Sequence, residues 1–227
     1  MKYNEFPYKR VSLEESKSFL NELLPSFNNK SQLAAQIDAV DSMNKFKSEL
    51  SSYESIAHLN FNRNTRDEKA KKEKDYYDDL GPGMKELENR FTKAILNSDK
   101  LDGLKEKFGD HYFKLKEVEE KTFDPRIMDM LHEETKMENE YTTLIAGAEI
   151  KFKGETYNLA GLGPFHQDLD RKTRKKSYNA RFAFFKQNTE KLDDLYDRMV
   201  KLRHKIATTL GYDNFIPLGY MRLGRTD

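Results

Sequence analysis

A mainly α protein, built of long antiparallel helices with one β-hairpin at about residues 148–160, is predicted by three features of this sequence. Apolar residues recur at three- and four-residue steps over most of its 227 positions, the spacing that lines one face of a helix. Ser-x-x-Glu signals and prolines punctuate those stripes where helices should begin. Only one stretch changes to an alternation of period two.

Taken in order, Ser12-Leu-Glu-Glu15 has the form of a capping box and should open a helix that Pro25 ends. Ser31 then opens an amphipathic run with Leu33, Ile37, Val40, Met43, Phe46, Leu50, Tyr53 and Ile56, reaching about Asn62 and roughly 45 Å long at 1.5 Å per residue. Thr65-Arg-Asp-Glu68 reads as a second capping box, followed by a stripe of Tyr77, Leu80, Met84, Leu87, Phe91 and Ala94 suited to an antiparallel neighbour. Gly81-Pro82-Gly83 should break or kink that helix. Another short helix ends at Gly109, and Pro125 takes the first position of the next, with Ile127, Met130, Leu131, Met137, Tyr141, Leu144 and Ile145 as its core face. Four or five helices thus precede residue 147.

Ile150 and Phe152, then Tyr157 and Leu159, alternate with polar residues around Lys153-Gly154, which predicts the hairpin. A lone hairpin is marginal in water, so it should pack on helices or join strands supplied elsewhere. From about Asp170 one last long helix is expected through Tyr178, Phe182, Phe185, Leu192, Leu195, Met199, Leu202, Ile206 and Leu210 to Gly211. The stretch from Tyr212 to Asp227 then carries Phe215, Ile216, Leu218, Tyr220, Met221 and Leu223, unusually apolar for a terminus. Two regions follow from this pattern: a helical lobe over 1–147, and 148–227 with the hairpin and the long helix.

Charge is abundant but balanced, with 40 basic against 39 acidic side chains. That argues against a dedicated nucleic-acid-binding domain and against membrane surfaces, both of which need unbalanced Lys and Arg. Cysteine is absent, which removes thiolate nucleophiles, disulfides and cysteine zinc sites and fits a reducing compartment. Met1-Lys-Tyr-Asn-Glu-Phe-Pro7 has no apolar leader region, and nothing downstream approaches eighteen uninterrupted apolar residues. A cytoplasmic protein is expected.

The motifs that could carry chemistry are incomplete. His132-Glu133-Glu134 begins like the zinc-binding His-Glu-x-x-His turn, but position 136 is Lys and the second ligand is missing. Three residues before His58, His111, His132, His166 and His204 stand Ser55, Phe108, Asp129, Gly163 and Lys201, so the Glu-x-x-His pairs of di-iron bundles are absent. No phosphate loop, dinucleotide turn or nucleophile elbow occurs, and the Gly161–Gly163 pair is followed by Pro164. The adjacent carboxylates Asp78-Asp79, Glu119-Glu120 and Asp193-Asp194 diverge by about 100° on a helix and read as solvated faces. The basic cluster Arg171, Lys172, Arg174, Lys175, Lys176 and Arg181, flanked by Asp168, Asp170, Glu190, Asp193 and Asp194, reads as a mixed-charge surface. No catalytic and no metal-binding residue is assigned, and no substrate-binding residue is singled out.

Four segments in order carry a resemblance. They are the hairpin Ile150–Leu159, the helix entry Asp170-Arg-Lys-Thr-Arg-Lys-Lys-Ser-Tyr178, the run Arg203-His-Lys-Ile-Ala-Thr-Thr-Leu-Gly-Tyr-Asp-Asn-Phe215, and Gly219-Tyr-Met-Arg222. Together they resemble the amino-terminal part of the oligoendopeptidase F and thimet oligopeptidase superfamily, helical zinc metallopeptidases that cut short peptides. The resemblance implies a parent that is a zinc metalloendopeptidase more than twice this length. Its His-Glu-x-x-His helix and glutamate ligand would lie beyond the equivalent of Asp227. Zinc would belong to that full-length parent and not to this chain.

On this resemblance the chain is an amino-terminal scaffold and substrate wall, itself inactive, with oligopeptide substrates and the missing carboxy-terminal catalytic half as partners of the parent. The isolated hairpin and the apolar final stretch would be covered by that half. Exposed apolar surface near Phe215–Leu223 should favour self-association. Two other functions fit the same residues: a stand-alone helical interaction module docking partners on the stripes of 31–62 and 77–94, and a peptide binder without catalysis.

Overall fold

A computed structural model of the chain describes residues 7–28 and 30–226. The Met1–Phe6 stretch read above for a leader lies outside the described residues. Ten α-helices and one two-stranded antiparallel sheet are present among them, so the fold is mainly α with one hairpin. The residues group into two compact units, one gathering those up to His132 with those from His204 onward, the other spanning Glu133–Arg203.

The first unit is built on a helical hairpin. α1 (Leu13–Leu23) starts where the capping box stands: the Glu15 amide donates to Ser12 Oγ at 3.1 Å and the Ser12 amide to Glu15 Oε2 at 2.8 Å. A 3₁₀ turn over Leu24–Phe27, with Pro25 in its first turn, ends it. α2 (Leu33–Arg63) and α3 (Glu68–Leu96) are the two long helices. Their interlocking faces bury Val40, Met43, Leu50, Tyr77, Leu87, Phe91 and Ile95, the i, i+3, i+4 stripes doing what their spacing dictates. The preceding extended chain is strapped onto α3, because Tyr76 Oη donates to Val11 O, Tyr77 Oη to Lys9 O, and both Tyr8 and Arg10 bind Glu73.

Three local expectations are corrected here. Ser31 does not cap α2; its hydroxyl is turned back to Pro25 O and Asn28 Oδ1. Thr65 does not cap α3, since Asp67 does so with one carboxylate oxygen accepting from the amides of Lys69 and Ala70. Gly81-Pro82-Gly83 does not break α3, which runs through Pro82 as a buried residue. The two flanking glycines carry no side chain to clash, and at Gly83 the space is used: a Cβ there would stand 3.0 Å from Leu13 Cδ1 and Cδ2, so α1 packs directly on this segment.

α4 (Leu101–Phe108) ends at Gly109 in the left-handed region, φ 85°, as a helix-stopping glycine should. α5 (Asp110–Glu120) follows at once and α6 (Met128–Ala146) after a 3₁₀ turn capped by Asp124. Six helices therefore precede residue 147 among the described residues, against the four or five expected. The additional one is α5, whose short stripe buries only Phe113. α10 (Phe215–Arg222) packs on α5 within this unit.

The second unit holds the hairpin, β1 (Ile150–Phe152) and β2 (Glu155–Tyr157), paired Ile150 to Tyr157 and Phe152 to Glu155. Lys153 and Gly154 both take positive φ, 49° and 87°, the turn that matches strand twist in a two-residue loop. Its inner face packs with Leu162, Phe165, Phe184 and Phe185, supplied by α7 (Gly163–His166) and α8 (Arg171–Gln187) with their approach. The lone hairpin is thus supported by helices, the first of the two ways it could be stabilised.

The single long helix expected from Asp170 to Gly211 is two: α8 and α9 (Thr189–Thr209). The break is at Asn188, whose amide side chain donates to Phe184 O at 2.9 Å, while Thr189 Oγ1 donates to Phe185 O and Lys186 O. Short polar side chains that satisfy the backbone locally compete with helix continuation. The core face of α8 is also shifted by one position. Thr173, Ser177, Ala180 and Phe184 turn inward, while Tyr178 and Phe182, expected in the core, are 45% and 62% exposed.

Candidate functional site

The incomplete motifs found in the sequence are put to structural use. Glu134 of the His132-Glu133-Glu134 turn is buried, and Arg203 Nε donates to its Oε1 at 2.7 Å. Arg203 Nη2 reaches Glu138 one turn on at 2.9 Å. Arg198 repeats the arrangement, binding both oxygens of Glu140 at 3.0 and 2.9 Å and Asp194 at 2.8 Å. Two arginines on α9 therefore clasp α6 through carboxylates a sequence search would test for catalysis. A bidentate or forked guanidinium contact of this kind fixes geometry as well as charge.

Asp78 is not on a solvated face as expected. Its side chain is buried beside Lys74, with which it forms an ion pair, and His58 Nε2 stands 3.2 Å from Asp78 Oδ1 at an angle that makes no hydrogen bond. The Lys74 ammonium lies 5.5 Å from the centre of the Phe61 ring. Burying this aspartate is tolerable because the lysine and its ring cover both charges. The neighbouring Glu54 carboxyl is pushed up by burial, partly opposed by His58. Glu119 is half-buried in a pair with Lys116, off the solvated face expected for it, while Glu120 pairs with Lys93 nearer the surface.

His166 Nδ1 lies 2.8 Å from Ser177 Oγ, and the ring stacks on Tyr178 at 4.2 Å. Ser177 Oγ also lies within hydrogen-bond reach of Arg174 O at 2.9 Å. The basic residues of α8 are dispersed rather than convergent. Arg174 caps the preceding turn through Asp168 O and Leu169 O, and Arg181 lies over the Phe185 ring.

Between α6 and α9 in the second unit lies an apolar groove of about 650 Å³, walled by Met137, Tyr141, Leu192, Leu195, Tyr196 and Met199. Tyr141, expected in the core of α6, is 51% exposed here, and Tyr196 is 74% exposed. The groove was hidden in the sequence because its residues belong to regular apolar stripes. Beside it, Glu134 and Glu138, one turn apart on α6, share Arg203 of α9. No membrane-spanning length of apolar helix and no group of three or more His, Asp or Glu side chains able to hold a metal occurs among the described residues. With the histidines scattered over α2, α5, α6, α7 and α9, this donor set does not fit zinc.

Residues 3–123 match the Peptidase M3 N-terminal domain. The whole chain also superposes on three much longer solved structures. One, described as an oligoendopeptidase F, has a TM-score of 0.94 at 39% identity, with 40% of its length covered. PZ peptidase A with an inhibitor gives 0.94 at 40% identity, again with 40% covered. A structure described as an oligoendopeptidase F from Bacillus anthracis str. Ames gives 0.93 at 32% identity and 42% covered. No curated protein matches the chain. The fold and the sequence together define an M3-type helical peptidase lobe. This chain belongs to the Peptidase M3 family, with the family's amino-terminal domain in its first half, and spans about 40% of the length of the solved relatives.

Proposed function

We propose that this chain is the scaffold and substrate wall of a zinc-dependent oligopeptidase, a cytoplasmic protein whose complete form hydrolyses peptide bonds in short peptides. The observation that carries the reading is the match of the amino-terminal domain of a peptidase family to a chain with no metal-binding cluster among its described residues. Zinc would supply an activated water and an electropositive partner for the oxyanion in the complete enzyme. The residues present here would not hold it, so their part is structural. Residues 1–147 would form the amino-terminal lobe and 148–227 the entry to the catalytic domain, whose remaining half is the partner. No catalytic or metal-binding role is proposed for any residue of this chain.

The test is zinc content and cleavage of a quenched fluorescent oligopeptide by the purified 227-residue chain. Substoichiometric zinc and no turnover above buffer are expected. One zinc per chain, or chelator-sensitive turnover, would overturn the inactive-scaffold reading. The apolar groove also favours a second reading, peptide binding without catalysis; saturable binding of an uncleaved oligopeptide by the chain alone would support it.

A further inference from the structure

We infer that the outward face of α8 is a docking surface for an acidic polypeptide segment of another protein, one with carboxylates toward both ends and an apolar middle. The helix departs from the balance of the whole chain: no Asp or Glu occurs in its 17 residues, whereas the chain overall carries a net charge of +1. Two of its cations are turned to the protein, Arg174 to the carbonyls of Asp168 and Leu169 and Arg181 to the Phe185 ring. Arg171, Lys172, Lys175, Lys176 and Lys186 are exposed and make no ion pair among the described residues. The acids that flank them in sequence are held elsewhere. Asp170 caps α8 by accepting from the Lys172 and Thr173 amides, and Asp168 accepts from the Asp170 amide. Glu190, Asp193 and Asp194 stand beyond the break at Asn188, on α9, where Arg198 binds Asp194.

Arg171, Lys175, Tyr178, Phe182 and Lys186 recur at steps of four, three, four and four residues, so they share one stripe, about 22 Å long at 1.5 Å per residue. Cations occupy both ends of it and aromatic rings the middle. Phe182 is 62% and Tyr178 45% exposed, and Leu169, 99% exposed, stands just ahead of the helix. The Tyr178 ring lies flat against His166, with 4.2 Å between centres and 13° between planes, so its place is set before anything binds. Aromatic rings left in water between cations mark a surface for a partner that supplies both carboxylates and apolar contact. An acidic helix of about four turns, with apolar residues at its centre, covers the stripe. A nucleic acid or an anionic bilayer fits less well, since each presents charge far beyond one stripe and the near-neutral chain has no wide cationic field to meet it. Such docking does not depend on the scaffold role of the chain.

The probe is a synthetic fluorescein-labelled helical peptide with glutamates in its first and last turns and leucines and a phenylalanine between them, added to the purified 227-residue chain. Saturable binding is expected by fluorescence anisotropy, weakening several-fold between about 50 and 200 mM salt as exposed charge pairs are screened. Lysine acetylation read by mass spectrometry locates the site on unaltered chain: the peptide should protect Lys175 and Lys186 and leave Lys205, exposed on α9, unchanged. Arg171→Glu combined with Lys175→Glu should weaken binding by about tenfold or more, because each then opposes a carboxylate. Phe182→Ala should weaken it by about fivefold through lost aromatic contact, and Lys205→Glu should leave it unchanged. No saturable binding at low salt, protection spread evenly over the lysines, or equal binding of a peptide with the same residues scrambled would overturn the docking face. So would tighter binding of single-stranded oligothymidine or of phosphatidylserine vesicles at the same cations, which would make the partner a nucleic acid or a membrane. If a charge-reversed variant does not melt cooperatively, the acetylation pattern decides: protection at Lys175 and Lys186 upholds the face, and its absence overturns it.

Discussion

Single side chains decide where the helices of this protein begin. Ser12 and Glu15 exchange hydrogen bonds across the first turn of α1, and the Ser12 amide, the adjacent Lys9 ammonium and the Ser12 hydroxyl hold the Glu15 carboxyl at about 2. Because the folded value is below the unfolded one, this contribution is present above the ordinary glutamate range and is lost as pH falls through about 2. Acid titration of folded chain should therefore show α1 amides losing exchange protection between about pH 4.5 and 2, whereas Glu15→Gln should flatten that dependence. Ser12→Ala should cost about 1 kcal/mol by urea denaturation. Asp67→Ala should cost a similar amount, about 1 kcal/mol, and Thr65→Ala close to nothing; the reverse order would contradict the cap assigned here. In the core, Ile206 is fully buried, and Ile206→Ala should cost about 2–5 kcal/mol.

At the scale of elements, the glycines around Pro82 separate two effects that the sequence presents as one. A Cβ at Gly81 would meet nothing within 4 Å, whereas one at Gly83 would press on Leu13. Gly81→Ala should stabilise the chain by about 0.5–1 kcal/mol through helix propensity alone, read as a shifted urea midpoint at unchanged slope. Gly83→Ala should gain less or nothing, because α1 must move aside. What could be read in advance follows the same division. The capping box at Ser12, the stripes of α2 and α3, the Lys153-Gly154 hairpin and the stop at Gly109 were legible because each is a local rule obeyed locally. Asn188, Pro82 and Ser31 were not, because their effect depends on which backbone group lies within reach after packing. Periodicity likewise shows that Tyr141, Tyr178 and Phe182 belong to apolar stripes and says nothing of whether a partner covers them.

For the whole molecule, the sequence motifs pointed to an M3-type peptidase lobe, and the family match and the superpositions place the chain there. The candidate site was less legible. His132-Glu133-Glu134 read as an incomplete metal turn, and in the structure Glu134 and Glu138 are bound by Arg203 and Glu140 by Arg198. The ion pairs predict their own test: Arg203→Ala removes the guanidinium paired with the buried Glu134 carboxylate, and should cost on the order of 3 kcal/mol in urea denaturation. Arg203→Lys should recover only part, since an ammonium cannot fork to Glu134 and Glu138 as the guanidinium does.

The most direct test of the central claim is gain of function on completion: zinc content and quenched-peptide cleavage measured side by side on the 227-residue chain and on the chain joined to the uncovered portion of the oligoendopeptidase F relative. The scaffold account predicts zinc-dependent cleavage only in the joined protein. Cleavage by the chain alone, or a joined protein that folds and binds zinc yet cuts nothing, would contradict it.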